Sequence, residues 1–178
     1  FMKEHIRFDK NRAEVDEGHG ESVVYFGCGQ NLLARFFLKD PVKVSAAKAI
    51  KALKAIGKDV YMLTGDREGV AARIAAEVGI LKYQASMLPT EKEHFIKSLQ
   101  DSGHVTAMVG DGINDSQALA RADVSIAMGK GTDVAINTAS VTLTTSDLTS
   151  ILQAFKLSSQ TVKCVRQNLF WAFIYNII

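Results

Sequence analysis

The segment Met108–Asp115, which reads MVGDGIND, constrains the fold of this chain more than any other feature. The residues before it, His104–Val109, are largely apolar or β-branched, as in a strand covered on both faces of a parallel sheet. The residues after it, Ser116–Arg121, contain no Gly or Pro and predict a helix. Open α/β sheets hold their ligands at the carboxyl ends of the strands, where this turn lies. Its two carboxylates, Asp111 and Asp115, are the oxygen ligands that Mg²⁺ prefers.

The same order of strand, small polar turn and helix recurs along the chain. Further buried strands are predicted at Val60–Leu63, Tyr83–Leu88, Val124–Met128 and Val141–Thr144. Strands that alternate with helices in this way predict a doubly wound, mostly parallel sheet of the α/β class.

Two earlier strands, Ser22–Phe26 and Leu32–Leu38, flank a loop with the glycines and asparagine of a hairpin. We expect these two strands to pair antiparallel. They precede Asp40-Pro41, which predicts the start of the helix that runs from Val44 to Ile56.

Three later helices have recognisable ends. The helix that follows residue 66 should run through Val78 and close at Gly79. Thr90 and Glu93 form a capping-box pattern for a helix over residues 90–100. Asp147 is a suitable N-cap for a long helix that continues into the apolar C-terminal residues.

The composition excludes several classes of protein. The net charge of +2 gives no nucleic-acid footprint, so no nucleic-acid partner is expected. The two cysteines, Cys28 and Cys164, have no pair spacing and indicate a reducing, cytosolic setting.

The start at Phe1 shows no signal-peptide pattern and suggests a chain that begins inside a longer protein. The apolar segment Leu169–Ile178 is shorter than the roughly 20 residues of a membrane helix, so we interpret it as a truncated span, with a buried C-terminal helix as the alternative.

Three turns at strand ends carry the groups that phosphoryl transfer requires. Thr64 and the backbone N–H groups of a helix N-terminus can hold phosphate oxygens. Lys92 can neutralise charge on the phosphoryl group, and Asp111 can fix Mg²⁺ to it. Taken singly, these residues could be a cap, a surface lysine and a turn former. Their occurrence together is what points to chemistry.

These turns resemble the motifs of a known family. Thr64-Gly65-Asp66, Lys92 after Leu88-Pro89, and residues 110–115 resemble the second, third and fourth motifs of the haloacid dehalogenase superfamily in the form that P-type ATPases use. Residues 108–119, 122–128 and 129–135 are similar to the heavy-metal-transporting branch. Residues 167–176 resemble the start of the transmembrane helix that follows the phosphorylation domain of copper(I) pumps.

The resemblance implies a role for each matching residue. Asp111 and Asp115 would hold Mg²⁺ with Asn114 in support, Thr64 and the Gly65 amide would hold phosphoryl oxygens, and Lys92 would balance their charge. The residues near the hinge and the bound ATP would be Asp40, Lys43 and Asp66. Tyr175 and Asn176 match a pair in the transported-metal site of copper pumps.

The sequence also departs from the family pattern. Lys43 stands where arginine is usual, and Arg67 and Ser116-Gln117 replace commoner residues. More importantly, the Asp-Lys-Thr-Gly-Thr motif that carries the phosphorylated aspartate does not occur in residues 1–178. The expected sheet therefore lacks its nucleophile strand, and covalent catalysis lacks its nucleophile.

The resemblance implies part of an ATP-driven copper(I) or heavy-metal pump that works through an aspartyl phosphate. Residues 1–37 would be the tail of the nucleotide-binding domain, residues 38–146 most of the phosphorylation domain, and residues 147–178 a connecting helix and the start of a transmembrane helix. The partners would be ATP, the metal ion, the lipid membrane and the rest of the pump, including its actuator domain, with residues 1 to about 165 on the cytoplasmic side. The alternatives are a soluble phosphatase of the same superfamily and a catalytically silent Mg²⁺-binding module.

Overall fold

The computed structural model describes residues 22–28, 31–38, 41–112, 114–129 and 139–177. Two compact units divide the chain, one of residues 1–43 with 60–87 and the other of residues 44–59 with 88–178. The elements in the described ranges are, in order, β1 (Ser22–Cys28), β2 (Asn31–Leu38), α1 (Val44–Ala55), β3 (Tyr61–Leu63), α2 (Glu68–Val78), β4 (Lys82–Gln84), α3 (Pro89–Asp101), β5 (Ala107–Gly110), α4 (Ser116–Arg121), β6 (Val124–Met128), β7 (Val141–Leu143) and α5 (Thr149–Ile177).

In the first unit, β1 and β2 pair antiparallel, the arrangement expected from the sequence. Val24 lies opposite Phe36 and Tyr25 lies opposite Arg35. The register shifts between Phe26 and Gly27. The pairing continues to Cys28 and Asn31, so both strands extend further into the predicted turn than expected.

The same unit contains a second small sheet, in which β3 and β4 pair parallel. The connection between them is α2, which buries Ala71, Ala75 and Val78. As predicted, this helix closes at Gly79, where φ is 76° and the backbone N–H donates to the last turn. This left-handed conformation suits glycine because a Cβ would crowd the following carbonyl.

The second unit is built on the three-stranded parallel sheet β5–β6–β7. Its core centres on Ile126, Met128 and Ile151, with partly buried apolar side chains packed against them. Those are Leu53, Val109, Val141, Leu143, Leu148 and Phe155. The core therefore joins the sheet to α1 and to the first turns of α5.

One carboxylate fastens the start of β5 to the start of β6. Asp123 Oδ2 accepts hydrogen bonds from the Thr106 backbone N–H at 2.7 Å and from Thr106 Oγ1 at 2.9 Å. The backbone hydrogen bond from Thr106, then side-chain bonds from Gln100 and Thr106, lower the pKa of Asp123 to about 2. The contacts thus favour the ionised carboxylate.

The predicted cap of α3 is wrong. The N-cap is Leu88 and Pro89 follows it, so Thr90 already lies in the first helical turn. Glu91 Oε2, and not Glu93, accepts the Leu88 backbone N–H at 2.7 Å. The cause is Pro89, whose fixed φ suits the first helical position and moves the helix start forward.

The α/β class is as predicted, but the described parallel strands form two sheets, β3–β4 and β5–β6–β7, and not one. Strand β4 runs from Lys82 to Gln84 and so covers only Tyr83 and Gln84 of the predicted Tyr83–Leu88, since Ser86 takes a positive φ of 53°.

Helix α5 begins where the sequence predicts. Asp147 Oδ1 accepts the Thr149 backbone N–H at 2.9 Å, which satisfies one of the unpaired donors of the first turn. Residues 156–173 of the helix are all exposed. In the described part of the chain, no helix is long and apolar enough to cross a membrane.

Candidate functional site

The turn after β5 presents Asp111 at the carboxyl end of the strand. Gly110 is the last strand residue, Asp111 is exposed, and Gly112 takes a φ of 82°. This left-handed glycine reverses the chain before α4 begins at Ser116. The strand end thus places one carboxylate toward solvent, where a ligand of a parallel sheet would bind.

The second carboxylate of this turn, Asp115, forms an ion pair with Lys92. The Nζ of Lys92 lies 2.6 Å from Asp115 Oδ1. The two side chains are only 10% and 18% exposed. The alternative that Lys92 is an ordinary surface lysine is therefore wrong, because its side chain is largely buried and a lysine is rarely buried unless it is paired with an opposite charge.

The close packing around Asp115 also accounts for Gly110. A Cβ at position 110 would lie 3.0 Å from Asp115 Oδ2 and 3.1 Å from its Cβ. A side chain at position 110 would therefore require Asp115, the carboxylate that holds Lys92, to shift by a few tenths of an ångström. The Gly-Asp-Gly pattern thus contains one glycine for close approach and one for the turn.

In the first unit, Thr64 and Asp66 form a compact turn after β3. Thr64 Oγ1 donates to Asp66 Oδ2 at 2.9 Å and accepts the Asp66 backbone N–H at 3.1 Å. The Thr64 and Asp66 carbonyls accept the backbone N–H groups of Met87 and Ser86 at 3.0 and 2.7 Å. The turn is therefore stabilised by its own side chains and by backbone hydrogen bonds from residues 86 and 87. It ends one residue before Arg67, the N-cap of α2.

Sequence reasoning missed Ser86 and Met87, which support this turn through their backbone N–H groups. Backbone donors exist in every residue except proline, so side-chain identities give no signal for them. The positive φ of Ser86 is likewise unmarked by a glycine. A Cβ on Gly65 would lie 3.4 Å from the Met87 carbonyl, an ordinary contact.

The remaining predicted residues are spread over the chain. Lys43 and Asn114 are exposed, and Asp40 lies outside the described residues. Tyr175 is 85% exposed, and the Asn176 side-chain amide donates to the Ala172 carbonyl at 2.9 Å on the same helix. The structure thus brings together Lys92 with Asp115, and Thr64 with Asp66. That these two pairs share one site stays a prediction.

The donor set around Asp111 suits Mg²⁺. Mg²⁺ is usually held by one or two carboxylates, with water and phosphate oxygens in the remaining positions. Asp111 and Asp115 supply such a set, although one Asp115 oxygen already contacts Lys92. Among the described residues, no three His, Cys, Asp or Glu side chains are grouped as a metal centre, which is the pattern that zinc would require.

Comparison with known proteins identifies the class. The model of the haloacid dehalogenase-like hydrolases matches residues 1–123. The chain belongs to this family.

Within this family, the chain resembles pumps for heavy metals. It is 46% identical over 173 residues to the probable copper-importing P-type ATPase A of Enterococcus hirae, covering 96% of this chain and 24% of that protein. It is 46% identical over 175 residues to the silver exporting P-type ATPase of Salmonella typhimurium, covering 97% of this chain and 21% of that protein. The crystal structure of a zinc-transporting PIB-type ATPase in the E2.Pi state superposes with a TM-score of 0.77 at 37% identity, covering 92% of this chain and 27% of that one. The chain thus spans about a quarter of the length of these relatives.

Proposed function

We propose that this chain is the part of an ATP-driven copper(I) or related heavy-metal pump that supplies the Mg²⁺- and phosphoryl-binding groups. The observation that carries the proposal is the buried pair of Lys92 and Asp115 beside the exposed Asp111 at one strand end. Such a pair positions one cation near a second carboxylate that is exposed to solvent, and a positioned cation together with carboxylates that can hold Mg²⁺ is what phosphoryl transfer requires. The similarity to metal pumps, which extends over 96–97% of this chain, supports the same conclusion.

The phosphorylated aspartate would come from another segment of the pump, since residues 1–178 contain no Asp-Lys-Thr-Gly-Thr. We propose that the strand carrying it pairs with β5 in the second unit. The finding that supports this is that β5 is an edge strand of the sheet β5–β6–β7 in the described residues. Backbone groups at such a strand edge need partners when they are buried.

In the proposed mechanism, Asp115 positions Lys92, and Lys92 donates to the phosphoryl oxygens. The Nζ of Lys92 has three protons, and the contact with Asp115 Oδ1 engages one of them. Asp111 would be the main Mg²⁺ ligand with Asp115 in a secondary role, supported by Asn114. Bound Mg²⁺ would neutralise charge that develops on the transferred group.

Thr64 and the Gly65 amide would bind the remaining phosphoryl oxygens. Thr64 Oγ1 donates to Asp66 Oδ2, so it must exchange this acceptor for the phosphoryl group when the group arrives. The exchange costs little because Asp66 is exposed and can be solvated. Asp66 would then be near the nucleotide, together with Asp40 and Lys43.

The domain boundaries follow from the same proposal. Residues 1–37 would end the nucleotide-binding domain, residues 38–146 belong to the phosphorylation domain, and residues 147–178 lead into the membrane. Residues 1 to about 165 would be cytoplasmic, and Tyr175 and Asn176 would contribute to the transported-metal site. The exposed apolar side chains Leu169, Phe170 and Phe173 support burial of this end of α5 in lipid.

The test is formation of an acid-stable phosphoenzyme from labelled ATP in the intact pump. We expect Asp111→Asn to abolish Mg²⁺-dependent labelling and the matched exposed variant Asp101→Asn to retain it. The isolated 178-residue chain should not be labelled. Labelling of the isolated chain, or its hydrolysis of a simple aryl phosphate, would contradict the proposal and favour a phosphatase of the same superfamily.

A further inference from the structure

Helix α5 carries positive charge without any negative charge. It contains Lys156, Lys163 and Arg166, and no Asp or Glu follows Asp147 in the sequence. All three cations are exposed. Within the described ranges, no acidic side chain forms an ion pair with any of them. Their charge is therefore available to a partner outside the chain.

Two of these cations share a face with the aromatic residue that opens the apolar end of the helix. Residues 159, 163, 166 and 170 are spaced by three and four, which places them on one side of a helix. Lys163, Arg166 and Phe170 accordingly line one shallow hollow along α5, together with Ser159, Val162 and Gln167. We refer to Lys163, Arg166 and Phe170 as the basic–aromatic stripe.

The dimensions of the stripe match those of a bilayer interface. With a rise of about 1.5 Å per residue, Arg166 lies about 6 Å and Lys163 about 10 Å along the axis before Phe170. The polar headgroup region on each side of a bilayer is about 5–7 Å deep. If Phe170 marks the edge of the hydrocarbon, Arg166 lies among the headgroups. Lys163 then lies a few ångströms outside them, within the Debye length over which an anionic surface attracts a cation.

We propose that Lys163 and Arg166 bind the anionic headgroups of membrane lipids. The proposal rests on the proposed function, which places the apolar end of α5 in the membrane. Cations without acidic neighbours are complementary to phosphate, and the arginine fork can hold a phosphate through two hydrogen bonds. Trp171, which is 65% exposed, is the type of side chain that sits at the same interface. The stripe thus fixes how deep α5 enters the bilayer.

Vesicle binding of the full chain tests the proposal. Partition is measured by flotation with vesicles of phosphatidylcholine alone and of phosphatidylcholine with one quarter phosphatidylglycerol. Each cation should contribute about five-fold, so we expect about 25-fold tighter binding to the anionic vesicles, declining at high salt. The variant K163Q/R166Q should lose most of this preference and keep its binding to neutral vesicles. The matched control K51Q/K97Q, which removes two exposed lysines elsewhere, should keep the preference.

The outcomes separate this inference from the proposed function. Binding to neutral vesicles without a preference for anionic ones would overturn the role of the stripe alone. Absence of binding to either vesicle would overturn the membrane placement of α5. Equal losses in K163Q/R166Q and K51Q/K97Q would show an effect of net charge only.

Discussion

Removal of the cation from the buried ion pair should destabilise the second unit strongly. In Lys92→Met the apolar stem is largely kept, while Asp115 loses a partner 2.6 Å away. Loss of one member of a buried pair typically costs about 3–5 kcal/mol, because the other charge stays buried without compensation. Since Asp115 is 18% exposed and retains some solvation, we expect the lower end, about 3 kcal/mol. This is a large share of the roughly 5–15 kcal/mol that stabilise an ordinary domain.

The assay is urea unfolding of the full chain, followed by far-ultraviolet circular dichroism, with Lys97→Met as the control. Lys97 is an exposed lysine of the same helix, so its loss should change the free energy of unfolding by less than about 0.5 kcal/mol. Asp115→Asn and the double variant complete a cycle. We expect the double variant to be less destabilised than the sum of the single variants, by about 2 kcal/mol. A cost for Lys92→Met below about 1 kcal/mol, which is the size of an exposed pair, would refute the reasoning.

Two further predictions concern neighbouring features. Gly110→Ala should lower the free energy of unfolding by about 1–3 kcal/mol in the urea assay, because the new Cβ would lie 3.0 Å from Asp115 Oδ2, whereas Gly69→Ala in open space on α2 should be neutral or stabilising. The lowered pKa of Asp123 means that its hydrogen bonds with Thr106 stabilise the fold fully above the unfolded pKa of 3.8 and are lost as the pH falls toward 2. The thermal unfolding temperature of the wild type should therefore fall over this acid range, and that of the Asp123→Asn variant should fall less. An equal decrease in both proteins would contradict the role of the Asp123 carboxylate.

Elements with a strong local pattern could be predicted from the sequence. Strand β6 occupies the predicted residues Val124–Met128, and α2 ends at Gly79 as its glycine indicates. The cap of α3 was predicted wrongly because two local signals compete: Thr90 and Glu93 offer one helix start, and Pro89 offers the earlier one that the structure adopts. The bounds of a short strand such as β4 depend on its pairing with β3. This tertiary contact cannot be inferred from the residue types in the predicted range 83–88.

The sequence proposes which residues form the candidate site, but it does not show how they are arranged. Spacing and residue type indicated Lys92 and Asp111 as functional, whereas the contact of Lys92 with Asp115 joins residues 23 positions apart. That contact depends on how α3 and α4 pack, and packing of helices is not encoded in a local motif. The backbone support of Thr64 is hidden for the same reason, since any residue at 87 has the same N–H group.

The environments of Asp111 and Asp115 give two identical side chains different roles. Both follow β5 and both are chemically suited to Mg²⁺, so residue type alone does not distinguish them. Asp111 is exposed, whereas Asp115 is packed against Gly110 and contacts Lys92. A carboxylate held in this way cannot give up its cation without leaving two buried charges unpaired. The proposed division, with Asp111 toward the metal and Asp115 toward Lys92, is therefore a consequence of packing, and the close approach at Gly110 is the feature that enforces it.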